Sequence, residues 1–380
     1  MDHRFNGPRY TVGIEEELMI VDGESMDLAN EIDAIVGEDV PSGSIHRELL
    51  ASVLEIATSP CEDVTAAAGE VASLRALAAE RARARGLKIG ASGTHPFARW
   101  EDQRVVGDDR YRGLVNSLGF IARQEIVFGM HVHVGMADPD ETIAVANGIR
   151  REVPLLIALG ANSPLWRGEP TGLMSSRVPI FRAFPRVGLP PHFDGWADFE
   201  RRVETLTDGG LIDDYTFLWY DVRPHPRLGT IEIRAMDVQT RIEHSAALAA
   251  LVVSLVRMLA EEYKDGGLTR EVPGELLDEN RWIAARHGLD GEMHDPTLGR
   301  VRPAREMAGD LLERLAPHAR ALGCEAELDS NQGILRNGNG AARQLMVYGA
   351  NHDLQELVSE IVSTTTGGGE RPPIDASEAA

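Results

Sequence analysis

Thr11-Val12-Gly13-Ile14-Glu15-Glu16-Glu17-Leu18-Met19-Ile20-Val21 constrains this chain more than any other stretch. Its ends are apolar and β-branched enough for a strand, yet three consecutive carboxylates occupy its middle. Successive strand side chains alternate faces, so Glu15 and Glu17 point one way and Glu16 the other. Two like charges on one face repel and favour a retained proton on one of them, unless a hard divalent cation lies between. Oxygen ligands suit magnesium or manganese. The competing reading is a solvated sheet face that tolerates glutamates, and the rest of the chain has to decide between the two.

At 380 residues there is room for one large domain or two, and 43% hydrophobic residues supply a sizeable core. An apolar run near the ~18 residues of a membrane span is not expected, nor a signal-peptide core in residues 1–10, so the expectation is a soluble, cytoplasmic protein with no membrane partner. Cys61 and Cys324 are the only cysteines and form no CxxC, which argues against a disulfide framework, a structural zinc site or a redox pair. A formal net charge of -22 argues against a nucleic-acid partner. Lys88 and Lys264 are the only lysines, and neither precedes Ser or Thr, so the phosphate loop GxxxxGK[ST] is excluded. Positive charge is therefore mostly arginine, whose fork suits carboxylate and phosphate.

Residues 22–41 read as a polar loop. In residues 45–60, Glu48 and Glu55 are seven apart, which shares a face in a helix but not in an unbroken strand, and pattern alone leaves both open. The end of that stretch looks like a strand closed by Ser59-Pro60, with Glu55 an isolated acid needing a partner. Residues 63–85 predict a helix ended at Gly86, residues 87–93 a strand, and residues 108–128 a further helix. Gly129-Met130-His131-Val132-His133-Val134-Gly135 predicts a short strand with both histidines on one face. A strand histidine is commonly structural, but two on one face beside glycines tilt toward a ligand role, with zinc the runner-up metal.

Residues 138–160 predict one helix and residues 161–191, rich in Gly, Pro and Ser, a functional loop region carrying Arg177, Arg182 and Arg186. Residues 196–206 predict a helix over it. Strands are expected at 217–223 and 228–236 around a turn at Pro224-His225-Pro226-Arg227, with Thr230, Glu232 and Arg234 on one face, where a plain in-strand salt bridge is the competing reading. Beyond Thr240 the pattern is helical, with 241–262 largely apolar, and residues 333–343 read as a glycine-punctuated turn entering a helix. Residues 364–380 are expected to be disordered.

Together these segments supply Glu15, Glu17, Glu55, His131 and Glu232 with Arg223 and Arg234 close by. On a common sheet face they would form an acid-lined trough able to hold magnesium ions that clamp a triphosphate. The motifs Gly13-Ile14-Glu15-Glu16-Glu17, Leu54-Glu55-Ile56-Ala57-Thr58, the His131-Val132-His133 strand, Arg223-Pro224-His225-Pro226-Arg227 through Arg234, and the segment 336–343 resemble the type 2 glutamate-cysteine ligase family, carboxylate-amine ligase branch, over residues 10–363. The resemblance implies an α+β, glutamine synthetase-like fold: a curved, mainly antiparallel sheet flanked by helices, after a short extension at 1–9. It implies magnesium (or manganese) ligands Glu15, Glu17, Glu55, His131 and Glu232, with Glu48 a weaker candidate. It also implies catalytic roles for Glu17, Arg234 and Arg223, and ATP contacts from Arg234, Arg336 and Asn337. The implied reaction is ATP-dependent amide formation between a carboxylate such as glutamate and an amine such as cysteine, through an acyl phosphate, in a homo-oligomer. Two other classes fit the same acids: a metal-dependent amide hydrolase, and an inactive relative that only binds Mg-nucleotide.

Overall fold

The computed structural model describes residues 1–37, 39–267 and 271–367. A seven-stranded sheet is built around β1 (Val12–Asp22), with the strand order β6-β7-β5-β1-β3-β2 and β4 pairing the distal part of β1. The other strands are β2 (Ser44–Arg47), β3 (Val53–Ala57), β4 (Leu87–Gly90), β5 (Gly129–Gly135), β6 (Val222–His225) and β7 (Thr230–Asp237), every pair antiparallel. Pro224 sits in β6, at the sheet edge, where a missing N–H breaks no ladder bond.

The alternation expected from Glu15-Glu16-Glu17 organises the molecule. Ile14, Leu18, Val132, Ile231 and Ile233 face a buried layer headed by α7 (Ile242–Lys264), most of which is inaccessible. Glu16 goes to that side too, and it is fully buried. Arg75 of α1 (Val64–Arg83) meets it with two bonds of 2.7 and 2.9 Å, and Ser245 of α7 donates a third at 2.7 Å. α7 does have the length and apolarity of a membrane span, against the sequence expectation, but 78% of its apolar window is buried inside the fold. It is the core helix, covered by α1, α3 (Pro139–Ile149), α9 (Ala304–Leu322) and α10 (Glu325–Asn337).

Several expected boundaries move. Residues 138–160 form two helices, α3 and α4 (Val153–Gly160), because Pro154 cannot continue the ladder of the preceding turn and instead occupies the first turn of a new helix. The hairpin turn falls at residues 226–229, not 224–227: Gly229 has φ +70°, and a Cβ there would lie 2.2 Å from the carbonyl oxygen of Arg4. Phe217 belongs to a short 3-10 turn, and Trp219–Tyr220 pairs with Val187–Gly188 outside the main sheet. The extension at 1–9 is packed down, with Phe5 buried and the Arg4 N–H bonded to the carbonyl of Pro226 at 2.9 Å. Thr364 and Thr365, expected in a disordered tail, complete α12 (Leu354–Thr365), and Thr365 Oγ1 accepts the Ala91 N–H at 2.9 Å. Thr366 and Gly367 follow as a turn, and 368–380 lie outside the described residues.

Candidate metal and nucleotide centre

The polar face of the sheet gathers the residues that alternation placed there. Glu15 lies opposite His131 of β5 and Glu17 opposite Glu55 of β3, while Glu232 of β7 lies opposite His133 on one side and Arg223 of β6 on the other. Glu15 bridges the two histidines, with Oε2 3.1 Å from His131 Nδ1 and Oε1 3.1 Å from His133 Nε2. One ligand atom each from Glu15, His133 and Glu232 come within 4.8 Å of one another. Arg223 grips Glu232 with a two-pronged contact, Nε to Oε2 at 2.7 Å and Nη2 to Oε1 at 3.1 Å, and Arg234 Nη1 adds a third bond to Oε1. The in-strand Glu232–Arg234 pair is thus formed, but inside the acid cluster. Arg234 reaches it through a bulge between Ile233 and Met236, which turns its N–H toward the carbonyl of Asp221 at 2.8 Å.

The charges are unevenly balanced along this face. Burial alone would raise Glu15 and Glu232, yet His133 and His131 hold Glu15, and Arg223 and Arg234 hold Glu232, well below the ordinary carboxylate range. Burial disfavours the His133 cation, but Glu15 and then Glu232 outweigh it and raise its pKa, so a positive group is already favoured between those two carboxylates. At the other end the balance reverses. Burial, then Glu15, Glu48 and Glu17, push Glu55 well above its usual value; burial and Glu17 push Glu48 up to about 7; and burial with Glu17 and Glu48 raises Glu125 strongly. Arg234, and for Glu125 also Arg177, offset this only in part.

The donor set fits a divalent ion. His131 donates from Nδ1 to the Glu15 carboxylate, leaving Nε2 buried with no hydrogen-bond partner, 3.9 Å from Glu17 Oε1. An imidazole fixed at one nitrogen by a carboxylate, with the other nitrogen aimed among acids, is a common ligand arrangement. Carboxylate oxygens with one or two imidazoles, and no thiolate, suit magnesium or manganese over a structural zinc. Beside Glu17 lies a cavity lined by Glu48, Glu125, Arg177 and Arg234 and by Leu114, Phe181, Phe184 and Trp219.

With this arrangement in hand, the relatives can be placed. The sequence model described as glutamate-cysteine ligase family 2 matches residues 11–361, nearly the whole chain. The chain belongs to glutamate-cysteine ligase family 2. A Rubrobacter xylanophilus protein provisionally named glutamate-cysteine ligase 2-1 is 41% identical over 368 residues, covering 96% of this chain and 97% of its own length. Among solved structures, the glutamate-cysteine ligase of Francisella tularensis in complex with AMP matches with a TM-score of 0.70 at 14% identity, over 98% of this chain and 91% of that one. A bifunctional glutathione synthetase from Pasteurella multocida matches with a TM-score of 0.67 at 13% identity, over 94% of this chain and 52% of that one. At such identity these two speak for the fold, which is the glutamine synthetase-like one expected.

Within this family 2 chain, Glu15, Glu17, Glu55, His131, Glu232, Arg223 and Arg234 are brought together as the motifs suggested. Arg336 and Asn337 are not. Residues 333–337 are helix, the last turn of α10, and both side chains are exposed. α10 packs on α7 and α9, the layer covering the opposite face of the sheet, so neither residue joins the trough. The turn expected from residue 333 starts only at Gly338, with φ +89°, because Gly333 is tolerated inside a helix; the helix expected after it is found at Gly340–Asn351. Glu48 is resolved as the residue just past β2, beside Tyr111, whose hydroxyl donates to its Oε2 at 3.1 Å. Sequence reasoning left His133 without a role, placed Arg177 only within the functional loop region 161–191, and passed over Glu125. The shared face with His131 signals the first, and the Gly-, Pro- and Ser-rich loop the second; nothing local signals Glu125.

Proposed function

We propose that this chain is an ATP-dependent ligase joining a small-molecule carboxylate to an amine, with an acyl phosphate between the two steps and ADP and phosphate released. The reading rests on one observation above the rest: carboxylates and histidines from β1, β3, β5 and β7 converge on a single face, braced by two arginines, in a member of glutamate-cysteine ligase family 2. Glutamate as acyl donor and cysteine as amine are the substrates in the names of its relatives, and they are the first to try.

Glu15, His133 and Glu232 would hold one divalent ion, and Glu17, Glu55 and His131 Nε2 another. A bound magnesium or manganese ion supplies charge neutralisation for the phosphates of ATP and for the transferring group. The chain's own part is mostly placement. Arg234, charged at every working pH, stands beside both groups of ligands and offers its unsatisfied Nε to a phosphoryl oxygen. Arg223 keeps Glu232 ionised and pointed inward, so it acts by positioning. Gly129 N–H donates to Glu17 Oε2 and fixes that carboxylate against β5. The buried apolar wall excludes water, which protects an acyl phosphate from hydrolysis before the amine arrives.

The test is an ADP-release screen of carboxylic acids crossed with amines, with mass detection of the amide. ADP formation that needs both partners is the expected result. If Mg-ATP binds yet no pair stimulates ADP release, the chain is not a ligase; amide cleavage without ATP would make it a hydrolase.

A further inference from the structure

The cavity beyond Glu17 has three chemically distinct parts, and together they describe an occupant. Arg177, at the start of α5 (Arg177–Phe181), is only 4% exposed, so a guanidinium has been taken out of water. Its Nη2 makes one long bond, 3.3 Å, to the carbonyl of Arg234, while its Nε has no partner, and no carboxylate forms an ion pair with it among the described residues. A buried guanidinium with spare donors costs stability unless an anion completes it. The residue is held in place on both sides: the Arg177 backbone N–H donates to Ser163 Oγ at 3.2 Å, Ser163 and Ser175 both donate to buried Asp237, and the guanidinium Nη2 lies against Gly129, where a Cβ would come within 2.4 Å of it.

Glu48 and Glu125 line the same cavity, together with Glu17, and give it an acidic side. The third part is a continuous aromatic wall. The Arg177 guanidinium lies 5.5 Å over the Phe181 ring, Phe181 and Phe184 are 5.6 Å apart, and Phe184 meets Trp219 edge-on at 5.6 Å. Among the described residues, no Ser, Thr, Tyr, His, Cys or Met side chain lines this cavity. Against the rings of Phe181 and Phe184 a polar or thiol side chain would lose its water and gain no hydrogen bond, whereas an apolar one removes those rings from water at about 25 cal/mol per Å².

We propose that this cavity binds the amine substrate, and that the substrate is an α-amino acid with a bulky apolar or aromatic side chain: carboxylate on Arg177, ammonium toward Glu48 and Glu125, side chain against Phe181, Phe184 and Trp219. That the occupant is consumed rests on the ligase reading; that it binds does not. The test is therefore binding first. Calorimetric titration of L-phenylalanine, L-leucine, L-cysteine, glycine and 2-phenylethylamine into the full chain with Mg-ADP should give phenylalanine or leucine at least tenfold tighter than cysteine or glycine. Arg177→Gln should weaken phenylalanine at least tenfold and leave 2-phenylethylamine within threefold, with Arg177→Lys recovering part of the loss. Phe184→Ala should weaken phenylalanine similarly, and Phe184→Leu, which keeps the apolar bulk and guards against misfolding, should largely restore it. Tighter cysteine or glycine, no binding by any amino acid, or equal losses for phenylalanine and 2-phenylethylamine in Arg177→Gln overturns the assignment. Binding as expected without ADP release in the substrate screen sinks the ligase reading and leaves the site standing; ADP release driven best by cysteine or glycine does the reverse.

Discussion

Glu17 is the residue whose loss separates fold from function most cleanly. Its Oε2 accepts the Gly129 N–H, a contact that a glutamine oxygen can keep, while the negative charge facing His131 Nε2 and Glu55 disappears. Glu17→Gln should therefore melt within about 1 °C of the wild type but lose on the order of 10²-fold or more in turnover, the scale on which removing one preorganised charge contact acts. Wild-type ADP release in that variant would take Glu17 out of the centre. His95 gives a residue-scale prediction of another kind. Its Nδ1 accepts two backbone N–H groups, from Phe97 at 3.3 Å and Ala98 at 3.0 Å, and its Nε2 donates to the carbonyl of Met26 at 2.9 Å. Protonation would break the first two bonds, and burial lowers its pKa from 6.5 to about 4. The unfolded chain then binds more protons than the native state between about pH 4 and 6.5, so stability rises with pH through that window and is lost on acidification, by up to about 3 kcal/mol. His95→Asn should narrow the gap in urea midpoint between pH 5 and pH 7; an unchanged gap would mean that another group sets the slope.

At the scale of elements, the trough depends on what stands behind it. β1 carries Glu15 and Glu17 forward only because Glu16 is locked backward by Arg75, whose Nη1 and Nη2 also bond the carbonyls of Thr240 and Gln239 at 2.9 and 2.6 Å. This one arginine ties β1, α1 and the segment joining β7 to α7. Arg75→Met strands the Glu16 carboxylate in the core and should cost about 3–5 kcal/mol, visible as an early melt; adding Glu16→Gln should recover part of it, since the uncompensated charge and not the missing pair dominates the loss. No recovery in the double variant would contradict that account. The same elements mark what was legible in the sequence. β1, β5 and α1 could be read directly, because period-2 alternation and an alanine-rich, Asp63-capped run are local signals. The hairpin of β6 and β7 was displaced by two residues: Pro224 reads as turn chemistry, but an edge strand tolerates it, and the φ of Gly229 sets the true turn. The break between α3 and α4 was missed for the opposite reason, since Pro154 was absorbed into an apolar run that looked continuous.

For the molecule as a whole, the site was legible where it lies on strands and illegible where it lies on what covers them. Parity on a strand fixes a face, so Glu15, Glu17, His131 and Glu232 follow from sequence once one sheet is assumed; Glu125 and Arg177 reach the cavity from a turn and a short helix, and only the packing of distant segments puts them there. That packing leaves crowded carboxyls at one end, in a chain already carrying a formal net charge of -22. Two effects of added cations then have to be separated. General screening relieves repulsion across the surface and is shared by any salt. A divalent ion held at the proposed sites would bind the native state alone, and at a hundredfold excess over its Kd would add about 2.7 kcal/mol of stability. Magnesium or manganese at millimolar concentration should thus raise Tm by roughly 5 °C. Sodium chloride at the same ionic strength should raise it by much less, and EDTA should reverse the divalent effect. In a Glu15→Gln/Glu55→Gln double variant, which takes a carboxylate from each proposed ion site, the divalent shift should collapse to the sodium value; a shift that persists there, or that sodium reproduces in the wild type, would mean that the acids of this sheet face hold no metal.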